Sequence, residues 1–390
     1  MSTESTTTPV TPAVKPGANP LSEKEAKVFV ASQWQLMWWK FRKHKLAMVG
    51  AVITIIFYLI AAFVEILAPY YSEKFWSQYT FAPPMPVYWM DYTESGSLGF
   101  RPFAYGYKVT LDPVALRREF AVDYDTKIPV GFFVHGQEYK LWGLIPMDLH
   151  LFGPIEKDAP PVFIIGADRL GRDMLSRIIY GTRISLSIGL VGVIFSLILG
   201  IVLGGISGYY GGTIDVIIQR VIEFLRSVPT IPLWMGLSAA LPKDWGPLQI
   251  YFGITIILSL IGWTGLARVV RGRFYSLRTE DFVTAARLDG SSEMRIILRH
   301  MVPSFLSHII ASISTSIPTM IISETSLSFL GLGLRPPVVS WGVLLQEAQN
   351  IRSVATAPWL MLPGVAVIIV VLAMNFFGDG MRDAADPYGG

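Results

Sequence analysis

The apolar residues of this chain are concentrated in separated blocks of roughly 18 to 25 residues, and a helix needs about 20 apolar residues to cross the hydrocarbon core of a bilayer. Six such blocks predict membrane-spanning helices over 46–68, 184–207, 217–241, 250–267, 305–322 and 357–377. The predicted fold class is therefore an all-α polytopic membrane protein with six transmembrane helices.

Composition supports a membrane protein. Hydrophobic residues make up 52% of the chain, charged residues make up 16%, and the mean hydropathy is +0.47. A soluble domain usually has fewer apolar and more charged residues, so the apolar excess must face lipid. The chain has no cysteine, which excludes disulfides, thiolate metal ligands and cysteine nucleophiles.

Basic residues in short segments predict the orientation. Four lysines and arginines lie between residues 40 and 45, and seven arginines lie between 268 and 299. Short flanks rich in lysine and arginine stay in the cytosol. The sequence thus predicts cytosolic termini and a long extracytoplasmic segment between the first and second helices.

These boundaries divide the chain into a disordered cytosolic tail, a first helix, an extracytoplasmic insertion, a five-helix core with a cytosolic loop, and a cytosolic C-terminal tail. The corresponding ranges are 1–40, 41–69, 70–183, 184–378 with the loop 268–304, and 379–390. Alternation of apolar and polar residues in the insertion predicts a few short strands, which would make it a mixed fold. Trp89 and Trp142 fit this folded insertion and an interfacial anchor equally well.

Small residues recur at every fourth position along the second predicted helix, which favours close packing against another helix. They are Gly192, Ser196, Gly200, Gly204, Gly208 and Gly212. In the third predicted helix, Arg220, Glu223 and Arg226 have the spacing of an ion-pair cluster, which is favoured over a substrate or proton site. Glu65 has no obvious local partner and is assigned no role.

Hydroxyl side chains form one face of the fifth predicted helix, opposite Ile309, Ile313, Ile317 and Met320. Pro318 is predicted to bend the helix. The face is composed of Ser312, Thr315, Ser316 and Thr319, continued by Ser323. It fits the lining of a water-filled path and hydrogen bonding to neighbouring helices equally well.

The cytosolic loop 268–304 is predicted to contain two amphipathic helices joined at a glycine. Glu280 and Asp281 suit a helix N-terminus, and Gly290 suits the helix end. Ser291 or Ser292 can cap a second helix with apolar residues at helical spacing, which Pro303 ends. Binding to lipid headgroups and insertion into a groove of a partner protein both remain open.

Motifs for independent catalysis are missing from the sequence. It contains no G-x-x-x-x-G-K-[ST] phosphate loop, no H-E-x-x-H and no G-x-S-x-G, and its five histidines have no metal-binding spacing. We therefore predict no catalytic residue and no metal site on this chain.

The segment from Thr284 to Gly290, followed by 300–303, resembles the E-A-A-x3-G-x9-I-x-L-P loop of ABC importer permeases. Thr284 stands where that pattern has Glu, His300 where it has Ile, and Val302 where it has Leu. In that family the loop is the coupling helix that docks into a groove of the ATPase subunit. The resemblance implies ATPase-coupling residues Thr284, Ala285, Ala286, Gly290, Met294, Ile297, Leu298, Met301 and Pro303.

Three further stretches, 166–173 continuing to 185–186, 327–342 and 375–383, resemble dipeptide and oligopeptide permeases of the DppC and OppC type. The first helix and the insertion resemble the YejE subgroup, associated with oligopeptides and microcin C. The resemblance implies an inner-membrane subunit, with ATP and Mg²⁺ bound only by its partners. Those partners would be a homologous permease, two ATPase subunits and a periplasmic substrate-binding protein, and together they would import peptides by alternating access.

Two other classes compete with this interpretation. An ion-coupled secondary transporter needs an intramembrane ion or proton site, for which Glu65 and the cluster from Arg220 to Arg226 are the candidates. A membrane-embedded hydrolase needs a nucleophile and a base, and the sequence shows no such constellation.

Overall fold

The computed structural model of the chain describes residues 32–92, 98–113, 117–242, 244–350 and 355–385. The chain is mostly helical, at 62%. The helices are α1 (Gln33–Lys43), α2 (Lys45–Ala62), α3 (Val64–Leu67), α4 (Met174–Tyr210), α5 (Gly212–Ser227), α6 (Thr230–Ala239), α7 (Pro247–Leu277), α8 (Asp281–Leu288), α9 (Glu293–Ile296), α10 (Val302–Ser304), α11 (Leu306–Phe329), α12 (Trp341–Glu347) and α13 (Leu362–Ala385). A π-helical turn, Ile297–Met301, joins α9 to α10, and 3-10 turns cover Ser77–Tyr79 and Pro358–Met361.

Four helical segments in the described ranges are long and apolar enough to cross a membrane: α2, α4, α7 and Pro358–Ala385, which contains α13. A fifth candidate combines Glu293–Ser304 with His308–Phe329, which meet at 76°. The bend lies at Phe305, whose backbone is not helical and whose ring packs against Phe274, with 5.7 Å between the ring centroids. Pro318 lies inside α11, which continues through it to Phe329.

The third predicted span, 217–241, is not one helix. It is divided into α5 and α6 at Val228 and Pro229. A residue before proline is driven out of the helical region, and Val228 has the extended angles φ −86° and ψ 133°. Helix length and composition therefore do not confirm the count of six spans.

The small-residue stripe of α4 packs closely against α7, as predicted. A Cβ atom at Gly204 would lie 2.5 Å from the Ala267 carbonyl oxygen, and one at Gly208 would lie 2.5 Å from the Arg271 carbonyl oxygen. Both contacts are with backbone, so only glycine permits this approach. Gly212 is not part of the packing face, because a Cβ there would meet no atom within 4 Å.

Both predicted tails are shorter in the structure. Residues 1–31 lie outside the described residues, but 33–40, predicted to be disordered, form most of α1. Ser32 caps α1, and the ring of Phe41 in α1 packs edge-on against Phe377. At the other end, α13 continues to Ala385 instead of ending at 378, because its last turns pack on α1 and α2 through Gly380 and Ala384.

The insertion contains a four-stranded antiparallel sheet in the order β1–β2–β3–β4. The strands are β1 (Val87–Tyr92), β2 (Leu98–Leu111), β3 (Arg118–Leu141) and β4 (Ile145–Pro154). β3 has 24 residues, so the prediction of only short strands was wrong. It remains continuous because its two halves pair with different strands, first with β2 and then with β4.

Candidate functional site

Helices α8 and α9 form the predicted pair of short helices. Glu280 is the N-cap of α8, and Ser292 is the N-cap of α9, although its side chain makes no capping hydrogen bond. After α8, the Ser291 amide donates to the Ala286 carbonyl over 3.1 Å, and Gly290 has φ +76°. This backbone geometry is a helix end that favours glycine. The prediction of two helices joined at Gly290 is confirmed.

One side of the pair is buried in the protein. Val283, Ile296, Ile297 and Met301 pack in one apolar cluster with Phe274 of α7. The sequence assigned Ile297 and Met301 to the surface that contacts an ATPase, but they are 8% and 0% exposed. That assignment was wrong for these two residues, because helical spacing defines an apolar face but not what the face packs against.

Four other apolar side chains of the pair are exposed. Leu288 is 84% exposed, Met294 62%, Leu298 57% and Phe282 41%. We call these four residues the apolar patch. Thr284, Ala285, Gly290 and Pro303 are also exposed, and Ala286 is half-buried. Phe282 and Leu288 are not among the coupling residues that the resemblance implies, although their apolar character within a polar helix was a usable signal.

Hydrogen bonds between side chains connect this pair to the ends of the long helices. The Tyr210 hydroxyl donates to Glu293 over 2.5 Å, and Arg287 donates to the Tyr209 hydroxyl over 3.4 Å. Arg271 of α7 makes a bidentate ion pair with Asp215 of α5, with both distances 2.5 Å. A displacement of the helix pair would therefore act directly on the end of α4 through these hydrogen bonds and on α7 through Phe274, and Arg271 connects α7 in turn to α5.

A cavity of about 470 Å³ lies between α4, α6, α7 and α11. All four hydroxyl residues predicted on the fifth span line it, and Thr230 and Trp234 of α6 contribute another part of its wall. The full lining is Val193, Ser196, Leu197, Thr230, Trp234, Leu258, Ile261, Gly262, Leu266, Ser312, Ile313, Thr315, Ser316, Thr319, Met320 and Ser323. The sequence did not select the contributions of α6 and α7, because contacts between distant segments leave no local pattern.

The hydroxyl groups of α11 bond mainly to their own helix. Ser316 donates to the Ser312 carbonyl over 2.7 Å, and Thr319 donates to the Thr315 carbonyl over 3.2 Å. Each hydroxyl oxygen keeps lone pairs that can accept from a guest molecule. Ile313 and Met320, predicted on the face opposite the hydroxyls, also line the cavity. The cavity wall therefore contains residues of both predicted faces.

A buried cluster of ion pairs lies at the other end of α4. Asp168 Oδ2 is 2.5 Å from Arg177 NH1 and 2.7 Å from Arg172 Nε, while Glu347 of α12 is 2.7 Å from Arg177. Burial raises the pKa of the neighbouring Asp173 carboxyl to about 6. The cluster ties the segment before α4 to α12 and gives the 166–173 stretch a structural role.

The structure also locates the other charged candidates. Arg220 and Glu223 form the predicted ion pair, 2.8 Å apart, on an exposed face of α5. Glu65 pairs with Arg183 at 2.6 Å, a partner that sequence inspection missed because 118 residues separate them. In the described ranges, no group of histidine, aspartate or glutamate side chains could hold a metal ion.

Comparison with known proteins identifies the family. The profile described as "Binding-protein-dependent transport system inner membrane component" matches residues 200–388, and that of the "N-terminal TM domain of oligopeptide transport permease C" matches residues 32–84. A dipeptide transport system permease protein DppC from Lactococcus lactis subsp. cremoris is 33% identical over 94% of this chain and 93% of its own length. The chain belongs to the DppC and OppC family of ABC transporter permeases.

Two further similarities complete the comparison. The oligopeptide permease OppC of Haemophilus influenzae is 40% identical to this DppC- and OppC-type permease over 57% of this chain and 69% of its own length. A chain of the MetNI methionine ABC transporter, in an inward-facing conformation, aligns with a TM-score of 0.43 and 18% identity over 55% of this chain and 98% of that chain. Membership of this family makes the protein a multi-pass membrane permease subunit of an ABC importer.

Proposed function

We propose that this permease imports peptides or peptide-like compounds from the periplasm to the cytoplasm by alternating access. The cavity beside α11 forms part of the route, and the apolar patch on α8 and α9 receives the movement of an ATPase subunit. The relatives named for dipeptide and oligopeptide transport support this substrate class. A second permease, two ATPase subunits and a periplasmic binding protein complete the proposed transporter, with ATP and Mg²⁺ bound by the ATPase subunits.

The observation that carries the coupling proposal is the apolar patch. Its side chains are exposed on the two helices that flank Gly290, where the sequence resembles the family's coupling loop. Fully burying one leucine side chain is worth about 1.5–3 kcal/mol, so four exposed apolar residues on two short helices favour insertion into a partner's groove. The lining of the cavity supports the peptide substrate, because hydroxyls can donate to or accept from many different backbone amides.

We further propose six membrane crossings with both termini in the cytosol. Helix α5 alone is about 24 Å long at 1.5 Å per residue, less than the roughly 30 Å hydrocarbon core. The divided pair α5 and α6 would together make the remaining crossing. A reporter that works only in the cytosol should then be active when it is fused to either terminus. A reporter that works only in the periplasm should be active when it is inserted at Asp125. A cytosolic signal at Asp125 would contradict this topology.

Substitution of Leu288 by Asp tests the coupling surface. The charge should weaken binding of the ATPase subunits by at least about tenfold. Burying an unpaired carboxylate in the interface costs well over 1.4 kcal/mol of binding free energy, and 1.4 kcal/mol corresponds to about a tenfold change in affinity. The measurement is the amount of ATPase subunit that co-purifies with the membrane-embedded permease. Leu248→Asp is the matched control, since Leu248 is also well exposed but lies at the opposite end of α7. Equal co-purification of the two variants would remove the coupling role of the patch.

The structure does not favour the ion-coupled alternative. Glu65, one of its candidate sites, is engaged by Arg183 through two hydrogen bonds of 2.6 and 2.7 Å. The other candidate, the pair of Arg220 and Glu223, is exposed and lies outside the cavity lining.

A further inference from the structure

The turn between β3 and β4 exposes apolar side chains in an unusual backbone conformation. Leu144 is 79% exposed, Trp142 53% and Ile145 49%. Trp142 and Gly143 both have positive φ, at +52° and +74°. Glycine and asparagine adopt this region readily, whereas it is strained for a bulky residue. An exposed tryptophan in a strained position requires an explanation other than turn formation.

Three contacts, two at the tip and one farther along, show which way this hairpin points. At the tip, the Trp142 Nε1 donates to the Ala62 carbonyl over 2.7 Å, and its ring lies 5.7 Å from that of Phe63. Farther from the tip, His150 Nδ1 lies 2.7 Å from the Ala68 carbonyl oxygen. The hairpin therefore runs alongside α3, and its tip points back to the C-terminal end of α2.

The end of α2 is a boundary between lipid and water. Helix α2 is one of the candidate membrane spans, and its last carbonyls accept hydrogen bonds from Arg183, at 2.8 Å for Ala61 and 3.1 Å for Ala62. The same arginine pairs with Glu65. Charged groups of this kind lie at or near the polar headgroups, because they are costly in hydrocarbon. The Trp142 indole contacts the same turn of helix, so it lies at the same depth.

We propose that residues 142–145, here called the hairpin tip, insert into the interfacial region of the phospholipid leaflet at the C-terminal end of α2. Tryptophan is enriched at this depth because its ring is apolar and its N–H is polar. Leu144 and Ile145 add apolar surface at the same end of the hairpin. The inference requires only that α2 spans the bilayer, so it does not depend on the direction of transport or on the substrate.

The same geometry separates the two tryptophans that the sequence left undecided. Trp89 stacks on Phe100 and Phe132, and Phe132 is paired with Phe152. This pair lies beyond His150 when counted from the hairpin tip. The Trp89 stack therefore belongs to the folded sheet, and Trp142 is the anchor.

Site-specific fluorescence in lipid nanodiscs tests the proposal. The chain has no cysteine, so Leu144→Cys can carry the only environment-sensitive label on this chain, which is labelled before the transporter is assembled. Asp125→Cys is the control, because the Asp125 side chain is 90% exposed on the same sheet. With phosphatidylethanolamine and phosphatidylglycerol that carry a nitroxide near the headgroup, quenching should be several-fold stronger at 144 than at 125.

Trp142→Asn, added to Leu144→Cys, separates anchoring from folding. Asparagine tolerates positive φ, so the turn should persist while the indole is lost. Quenching at position 144 should fall, and the signal from a label at 125 in the same background should not change. Equal quenching at 144 and 125 would overturn the proposal. It would also be overturned if the label at 144 became shielded only after a periplasmic binding protein was added, since the tip would then be a protein-docking surface.

Discussion

Gly204 of α4 is the position where one added methyl group should disturb the helix packing most clearly. In Gly204→Ala the new Cβ would lie 2.5 Å from the Ala267 carbonyl oxygen and 2.8 Å from its Cα. These atoms belong to the backbone of α7 and cannot rotate away, so the two helices must separate. Overpacking of this kind costs about 1–3 kcal/mol.

Gly265 provides the matched comparison on the opposing helix. A Cβ at this position would meet no atom within 4 Å, so Gly265→Ala changes only the backbone freedom of a helical residue. Alanine is favoured over glycine there by about 0.5–1 kcal/mol. Gly204 is helical as well, so this backbone gain is common to both variants, and they should differ by roughly 1–3 kcal/mol in the free energy of unfolding, the cost of overpacking alone.

Thermal unfolding in one detergent, followed by tryptophan fluorescence, should rank Gly265→Ala at or above the unsubstituted protein and Gly204→Ala below it. Gly200→Ala should lie between them, because the three atoms nearest to its Cβ would belong to the Leu266 side chain, at 2.9 to 3.0 Å, and the end of a leucine side chain can rotate whereas backbone cannot. If Gly204→Ala were as stable as Gly265→Ala, the close approach of α4 and α7 at Ala267 would be refuted.

Two functional predictions follow from the cavity and from the helix pair. Single cysteines that replace Ser312, Ser316 or Thr319 should react with water-soluble thiol reagents at rates that change with nucleotide state. Cysteines at the buried positions of Ile309 and Ile321 should stay protected. Equal rates at all five positions would assign the hydroxyl face to helix packing. Gly290→Val should leave membrane insertion intact but greatly reduce peptide uptake. A left-handed backbone costs a non-glycine residue about 1–2 kcal/mol, and relief of this strain would change the angle between α8 and α9. The open space around Gly290 excludes a steric clash as the cause, and normal uptake by this variant would argue against coupling through α8 and α9.

Features with a strong local signal were predictable from the sequence. The small residues of α4 recur every fourth position, and this spacing alone placed Gly204 on a packing face. The α8 and α9 pair was predictable because an acidic N-terminus and a glycine end occur at helical spacing. The division between α5 and α6 also had a local signal, Pro229, which was outweighed by the apolar length of the segment.

Features that depend on distant residues were not predictable. Nothing near Glu65 indicates Arg183, because 118 residues separate the two partners. Periodicity showed that Ile297 and Met301 share an apolar face, but their burial depends on Phe274 and Val283, which belong to other helices. The length of β3 likewise depends on pairing with two different strands.

The buried ion pairs near the start of α4 constrain how this permease can diverge or be recombined with its relatives. Asp168, Arg172, Arg177 and Glu347 carry two negative and two positive charges that pair with one another, and each of these side chains is at most 10% exposed. A change at one position leaves an uncompensated charge, so substitutions should be inherited in compensating sets. Chimeras whose junction falls between residues 177 and 347 would mix two such sets, and junctions that keep all four residues from one parent should yield folded protein more often.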